Sequence, residues 1–328
     1  DEMYIYLSNI YEGAQISIII QDLNGGYNNF QTIALKEGLN RVIAPVGGLI
    51  YLLNHVEEDI PLLPETEEEK KVIAAKTVSV HFVFGKVNGY FDIRKHKTQE
   101  KWEEILSKAS YQDIDVLGDY SHITWNVDQF KGKNVSINQG VVTDIVKSLE
   151  NCDRLVYLEE EFLGLIKYNK MFNNRMHFCL DYTAKSPNAT DYRTVYSAGT
   201  SYAEIFCNPD AFPARLWGPA HEVGHVNQTR PGLKWAGMTE VTNNLTVLYV
   251  QEKFGELSKL QEVGNASVGN PNIEGGGKLY VESEFDKNKL NLYDVSRKYI
   301  IEGQRAHSLP NIDINIRETQ LVPFWQLK

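Results

Sequence analysis

Two histidines and a glutamate in the second half of the chain have the residue types and spacing of a zinc-hydrolase site. His221 and His225 lie four residues apart in the stretch Ala220-His-Glu-Val-Gly-His-Val-Asn-Gln228. On a helix, residues at this spacing share one face, one turn apart, so their imidazoles can bind the same zinc ion. Glu222 follows the first histidine and would lie beside the metal, where a carboxylate can act on water without being a ligand.

The residues that flank this run predict a short helix. Gly218-Pro219 precede it, and proline fits the first turn of a helix. Pro231-Gly232 follow, and this pair predicts that the helix ends about three turns after it starts. The His-Glu-x-x-His run is therefore expected to fill a helix of its own.

A zinc site of this kind needs a third protein ligand and one open coordination position. Glu240 is the next candidate downstream, and it precedes an apolar stripe beginning at Leu245 that predicts a second helix. Asn244 comes four residues after Glu240, where its side-chain oxygen could accept the Nδ1 proton of a ligand histidine. Taken alone, Glu240 is equally well an ordinary first-turn glutamate favoured by the helix dipole. Its position after the two histidines favours the ligand role.

Residues 1–95 predict a β-sandwich, because runs of β-branched and aromatic residues alternate with turn signals. The predicted strands are Met3–Leu7, Ile16–Ile20, Phe30–Ala34, Arg41–Ala44, Gly48–Leu53, Lys76–Phe84 and Tyr90–Ile93. Asn88-Gly89 is predicted to form a hairpin turn before the last of these strands. The charged run Glu65–Lys71 is typical of a solvated loop or helix face.

Residues 96–328 predict a second domain in which helices and strands alternate, so the expected fold class is α+β. The expected helices are Thr98–Ala109, two consecutive helices or one broken helix within Val141–Leu165, and Tyr293–Ile301. The expected strands are Tyr120–Val127, Arg175–Tyr182, Tyr192–Val195 and Thr200–Phe206. The strand Thr200–Phe206, which contains Tyr202, comes just before the metal helix. It is expected either to pair with an extended substrate backbone or to lie in the core without substrate contact.

Composition excludes some functions. The net charge of −10 argues against a nucleic-acid surface, which needs clustered lysine and arginine. No apolar run is long enough for a transmembrane helix. The three cysteines are too few and too scattered for a disulfide framework, which leaves buried free thiols or a single disulfide. The first residue is Asp1, not methionine, so we expect a processed or partial chain whose signal peptide is absent.

The run His221-Glu-Val-Gly-His-Val-Asn-Gln228, followed by Trp235 and Glu240-Val-Thr-Asn-Asn244, resembles the enhancin-like, mucin-degrading zinc metallopeptidases of the M60 peptidase family. The resemblance covers most of the chain. Further stretches that are similar to this family are Gly48–Tyr51, Val87–Asp92, Arg175–Phe178 and Leu321–Trp325.

This resemblance implies a fold and an activity. The fold would be an N-terminal accessory β-sandwich followed by a zincin-like, gluzincin-type metallopeptidase domain with a mixed sheet and active-site helices. That domain would hold one zinc ion through His221, His225 and Glu240, and its C-terminus would be truncated here. The activity would be that of a zinc-dependent endopeptidase acting on O-glycosylated, mucin-type glycoproteins such as those of a host. We expect a secreted or cell-surface protein; its oligomeric state does not follow from the sequence.

The substrate contacts and the activity both have alternatives. Trp235, Asn243 and Tyr202 are the expected substrate contacts, but a packed tryptophan and a capping asparagine explain the first two equally well. A non-catalytic glycan-binding or adhesin module with a vestigial metal site is the main alternative function. The presence of Glu222 argues against it, because a pure binder needs no group that transfers protons. An aminopeptidase would need an anionic anchor for a free amine, and no acidic motif obviously supplies one.

Overall fold

The protein combines helices and strands, and more of the described residues lie in helices than in strands. The computed structural model describes residues 2–44, 47–56, 64–132, 144–190, 192–229, 232–263, 290–302, 304 and 314–327. The predicted α+β class is confirmed by the mixture of β-sheets and helices in this part of the chain. Among the described residues, no helix has the length and apolar composition that crossing a bilayer would require.

The strands are β1 Glu2–Ser8, β2 Gln15–Gln21, β3 Phe30–Ala34, β4 Gly38–Ile43, β5 Leu49–His55, β6 Ser79–Phe82, β7 Tyr90–Asp92, β8 Asp113–Leu117, β9 Ser121–Asn126, β10 Met176–Asp181, β11 Asn188–Ala189 and β12 Arg193–Ser197. The helices are α1 Glu67–Ala75, α2 Ile93–His96, α3 Gln99–Lys108, α4 Val127–Phe130, α5 Ile145–Phe162, α6 Thr200–Cys207, α7 Phe212–Arg215, α8 Trp217–Asn227, α9 Thr239–Thr242, α10 Asn244–Phe254, α11 Leu292–Ser296 and α12 Ile314–Trp325. A π-helical segment, Arg297–Glu302, follows α11.

The N-terminal strands form two three-stranded antiparallel sheets, with the strand orders β4-β1-β6 and β3-β2-β5. Ile5 and Val42 of the first sheet share one buried cluster with Ile18 and Ile20 of the second. Alternate side chains of a strand point to opposite faces, so each sheet contributes one apolar face to this common core. The predicted β-sandwich is therefore confirmed.

A six-stranded mixed sheet follows, in the order β11-β12-β10-β9-β8-β7. The pairs β9–β10 and β7–β8 are parallel, whereas β8–β9 is antiparallel. Trp102 of α3 packs edge to face against Phe91 and Phe130, and all three side chains are fully buried. Aromatic pairs in this geometry stabilise a core beyond their buried area.

The hairpin predicted at Asn88-Gly89 is wrong, because β6 and β7 belong to different sheets. Asn88 instead holds the segment that leads into β8. Its side-chain oxygen accepts hydrogen bonds from the backbone N–H groups of Ser110 and Tyr111, and its Nδ2 donates to the carbonyl oxygen of Asp113. These contacts over more than twenty residues are invisible to a local turn pattern.

The strand predicted at Thr200–Phe206 is also wrong, because this segment is the helix α6. Ala203, Phe206 and Cys207 are buried at helical spacing, and Phe206 packs against the rings of Trp125 and Tyr196. The backbone N–H and C=O groups of a helix are engaged within the helix, so this segment offers no edge to a substrate. Tyr202 therefore lies on a helix, with its ring 5.4 Å from that of Tyr196.

Other segments agree with their predicted type. The helical type predicted within Val141–Leu165 is confirmed, but the predicted break is wrong, because Ile145–Phe162 is one continuous helix. The charged run forms the exposed helix α1, with a capping box between Thr66 and Glu69. The three cysteines are buried free thiols.

The chain divides into two compact units. The first comprises Asp1–Asp153, Met171–Asn188 and Thr194–Phe212, and the second Arg154–Lys170, Ala189–Arg193 and Pro213–Lys328. The sandwich lies in the first unit, and the helices α8 to α12 lie in the second. The division into domains 1–95 and 96–328 stays a prediction.

Candidate metal site

The helix α8 carries the His-Glu-x-x-His run, as the sequence predicts. Pro219 lies in its first turn, and the helix ends at Asn227. Ala220, Val223 and Gly224 form its buried side, whereas His221 and His225 remain partly exposed. The helix therefore presents both imidazoles on one accessible face.

Helix α10 packs closely against α8, and α9 directly precedes α10. Helices α9 and α10 form one nearly continuous run, because Asn243 between them keeps helical backbone angles. A side chain at Gly224 would bring its Cβ within 2.6 Å of the carbonyl oxygen of Asn243. Only glycine permits this approach, which brings Glu240 on α9 up to the two histidines.

Three potential ligand atoms converge at this contact. The Nε2 atoms of His221 and His225 lie 3.2 Å apart, and Oε2 of Glu240 lies 3.3 Å and 3.5 Å from them. Tetrahedral zinc with ligands at about 2.0–2.1 Å requires separations of roughly 3.3–3.4 Å between ligand atoms. The three atoms therefore fit one zinc ion without rearrangement, and the partial exposure of the side chains leaves room for a fourth ligand.

Protonation of the site follows from burial and from these contacts. Burial alone would lower the pKa of His221, but hydrogen bonds with Glu240 and Asn244 outweigh it and raise that pKa. Hydrogen bonds from His221 and His225 hold the pKa of Glu240 well below its ordinary value. Burial raises the pKa of Glu222, against the influence of the two histidines. Glu240 is thus anionic, as a carboxylate must be to bind a metal ion.

Asn244 contacts the ring of His221 on the side away from the ligand atoms. Its Oδ1 lies 2.7 Å from His221 Nδ1, and its Nδ2 donates to the backbone oxygen of Glu240 at 2.9 Å. Accepting the Nδ1 proton leaves Nε2 free to bind a metal and fixes the orientation of the ring. This is the contact that the spacing between Glu240 and Asn244 predicts.

The expected sugar contact through Asn243 is not supported, because its side chain is fully buried. Its Nδ2 lies 3.2 Å from the backbone oxygen of His221 and 3.2 Å from Nε2 of His225. A buried amide offers no hydrogen bond to an external sugar. Asn243 instead packs against both candidate ligand residues.

Trp235 lies in the loop between α8 and α9, and its side chain is 45% exposed. Its ring meets that of Phe324 edge to face at 5.3 Å, and its Nε1 donates to the carbonyl oxygen of Gly232. These contacts fix the ring and leave part of it open to solvent. Tyr202 lies on α6 in the first compact unit.

Sequence reasoning missed the contacts of Gln228, although this residue ends the motif. Its buried Nε2 donates to Oγ1 of Thr242 at 2.5 Å and to the backbone oxygen atoms of Thr239 and Leu233 at 3.0 and 3.3 Å. One amide thus joins the end of α8 to α9 and to the intervening loop. A polar side chain directly after a predicted helix is the only local signal of this role.

The chain is an α+β protein with a His-His-Glu group that could hold a metal ion. The family model for peptidase M60, enhancin and enhancin-like, matches residues 89–328, and the chain belongs to this family. The resemblance found in the sequence is confirmed.

Solved structures show the same fold. A functionally unknown conserved protein mutant from Bacillus anthracis str. Ames has a TM-score of 0.68 and 23% identity, over 99% of this chain and 56% of that one. A metallopeptidase in complex with Tn antigen has a TM-score of 0.66 and 22% identity, over 100% and 53% of the two chains. The M60 catalytic domain of Clostridium perfringens ZmpC, in complex with the sialyl T antigen, has a TM-score of 0.56 and 16% identity, over 91% and 59%.

This chain spans about half the length of the solved structures that it matches. None of the curated proteins matches it.

Proposed function

We propose that this chain is a zinc-dependent endopeptidase that hydrolyses peptide bonds in O-glycosylated, mucin-type glycoproteins. The observation that carries the proposal is the triangle of His221 Nε2, His225 Nε2 and Glu240 Oε2, with sides of 3.2–3.5 Å. Glu222 lies on the same helix directly after the first ligand. Membership of the M60 family supports a metallopeptidase, and the donor set of two imidazoles and a carboxylate suits zinc.

His221, His225 and Glu240 would hold the ion. When bound, zinc supplies Lewis-acid polarisation of the scissile carbonyl and makes water a better nucleophile. The carboxylate of Glu222 takes the proton of the attacking water and passes it to the leaving amine. Burial raises the pKa of Glu222, which makes its carboxylate a stronger base than an exposed one. Asn244 keeps the His221 ring oriented throughout.

Glycoprotein specificity is supported by relatives and by one exposed side chain. A similar metallopeptidase is described in complex with Tn antigen, and the similar ZmpC domain with the sialyl T antigen. Both are O-glycan structures. Trp235 offers a partly open aromatic ring beside the metal-site helices, and such a ring can stack on the apolar face of a sugar. Substrates of this kind imply a secreted or cell-surface enzyme.

The test is digestion of a mucin-type glycopeptide and its unglycosylated twin by the wild type, Glu222→Gln and Trp235→Ala. Glu222→Gln preserves the shape of the side chain but removes the base. We therefore expect bound zinc to stay at about one ion per chain, whereas the rate of cleavage falls by at least about 100-fold. Trp235→Ala should slow cleavage of the glycopeptide and leave cleavage of the unglycosylated peptide unchanged.

Each other outcome contradicts part of the proposal. Equal cleavage of both peptides would remove the glycan requirement. Full activity in Glu222→Gln would remove the assigned base. Zinc binding without any cleavage by the wild type would favour the non-catalytic glycan-binding alternative. A chelator should abolish cleavage, and added zinc should restore it.

A further inference from the structure

The C-terminal end of α8, the metal helix that carries His221 and His225, is hydrogen-bonded to a buried glutamate on α5. Asn227 is the last residue of α8 and comes two positions after His225. Its Nδ2 donates to Oε2 of Glu159 on α5 at 3.0 Å. Asn227 is 2% exposed and Glu159 is fully buried, so water cannot take part freely in this contact.

Each of the two groups keeps one oxygen without a hydrogen-bond partner among the described residues: Oε1 of Glu159 and Oδ1 of Asn227. Buried polar atoms nearly always find a partner, and leaving one unpaired costs about 1–3 kcal/mol. If Glu159 is ionised, these two oxygen atoms cannot bond to each other, because a carboxylate oxygen and an amide oxygen are both acceptors. A protonated carboxyl has one O–H to donate.

We propose that Glu159 is protonated and exchanges two hydrogen bonds with Asn227, which makes it a positioning residue for the metal helix. In this acid–amide pair, Asn227 Nδ2 donates to Glu159 Oε2, and the Glu159 hydroxyl donates to Asn227 Oδ1. All four polar atoms are then satisfied in one planar ring. The consequence for catalysis rests on the function proposed above, whereas the pair itself does not.

The surroundings of Glu159 favour the neutral acid. Burial raises the pKa of Glu159 well above its ordinary value, and the adjacent Glu160 acts in the same direction. The groups that face it from α8 and α10 are the uncharged side chains of Asn227 and Thr246, whose hydrogen bonds only partly oppose the shift. The Thr246 hydroxyl has a single proton, and it also donates to the carbonyl oxygen of Asn243 at 2.8 Å.

A second side chain at the same end of α8 also makes hydrogen bonds to a neighbouring helix. Gln228, the next residue, donates to Thr242 and to the backbone oxygen of Thr239. Asn227 and Gln228 therefore attach the end of α8 to α5 and to α9 at the same time. His225 is less than one turn away, so freeing this end should move its imidazole relative to Glu240.

Glu159→Gln is the decisive variant, because a glutamine amide can accept from Asn227 Nδ2 and donate to Asn227 Oδ1 without a charge. The unfolded chain loses the Glu159 proton above a pH of about 4.5, whereas the folded protein retains it. The wild type therefore loses stability as pH rises from about 5 to 8, and Glu159→Gln does not lose this contribution. We expect the difference in melting temperature, variant minus wild type, to grow steadily across that range.

If the difference in melting temperature is constant with pH, or if the wild type becomes relatively more stable at high pH, Glu159 is not protonated in the folded protein. Zinc affinity and kcat separate positioning from a purely structural role. We expect Glu159→Gln to retain both within about twofold, and Glu159→Leu, if it folds, to bind zinc about 10-fold more weakly. Glu159→Leu with lower stability but unchanged zinc affinity and kcat would overturn the positioning role.

The pH series compares the wild type with Glu159→Gln, so it can be carried out even if Glu159→Leu does not fold. It also needs no catalytic activity, so a failure of the proposed function would leave this test intact.

Discussion

Gly224→Ala should weaken both the packing of the metal-site helices and the binding of zinc. Gly224 lies between the two histidines on α8, at the contact with the start of α10. An alanine Cβ would lie 2.6 Å from the carbonyl oxygen of Asn243 and 3.1 Å from Oγ1 of Thr246. The first of these atoms belongs to the backbone and cannot rotate away, so the helices must separate.

The size of the effect follows from two opposing terms. Ordinary contact begins near 3.4 Å, so the helices must move apart locally by about 0.8 Å. Overpacking of this kind costs about 1–3 kcal/mol, and a backbone clash belongs at the upper end. Alanine regains about 0.8–1.0 kcal/mol over glycine in a helix interior. We therefore expect a net loss of about 2 kcal/mol, which corresponds to about 4 °C in melting temperature.

The same substitution should also weaken binding of the metal. Glu240 approaches the histidines through this helix contact, and its Oε2 lies 3.3 and 3.5 Å from the two Nε2 atoms. A shift of several tenths of an ångström exceeds the tolerance of zinc–ligand distances, which is about 0.2 Å. We expect zinc affinity to fall by about 10–100-fold.

Calorimetry of the metal-free protein and titration against a chromophoric zinc chelator measure the two quantities separately. Gly47→Ala is the matched control, because a Cβ there meets nothing within 4 Å. It should change stability by no more than about 0.5 kcal/mol and leave zinc affinity unchanged. If Gly224→Ala were as stable as the wild type and bound zinc equally well, the close helix contact would not position the third ligand.

Two further predictions concern single hydrogen-bond acceptors. Asn244→Ala removes the acceptor 2.7 Å from His221 Nδ1 and should weaken zinc binding by about 10-fold or more, with Asn244→Asp as the matched variant that keeps an acceptor; equal zinc affinity in the chelator titration would refute this role. Asp153 accepts three hydrogen bonds at 2.7–2.8 Å from the turn between β8 and β9, so Asp153→Ala should lower the free energy of unfolding in urea by about 3 kcal/mol. A change below about 0.5 kcal/mol would show that this turn does not depend on Asp153.

The sequence predicted most elements that have a clear local pattern. β1, β2 and β10 lie within one or two residues of their predicted bounds, because an alternating or fully apolar run of β-branched residues requires no distant partner to be recognised. The helix α8 was predicted from its histidine spacing and its flanking proline and glycine residues. The strand predicted at Thr200–Phe206 is wrong, because the local sequence there does not decide between a strand and a helix. Its aromatic and β-branched residues suit either state, and burial against Trp125 and Tyr196 decides for a helix.

For the site, the sequence by itself determined the chemistry. Two histidines four residues apart on a helix must face the same way, and a glutamate after the first of them must lie beside any metal ion that they bind. The types of the residues and the period of the helix suffice for this conclusion.

Only the tertiary structure decided which groups complete the site and hold it. Glu240 reaches the histidines because α10, which directly follows α9, packs against α8 at Gly224. Asn243, an expected sugar contact, is buried against His221 and His225, and Glu159 contacts Asn227 although the two residues lie 68 positions apart in sequence. Contacts between helices depend on how whole faces pack, and no local pattern records that arrangement.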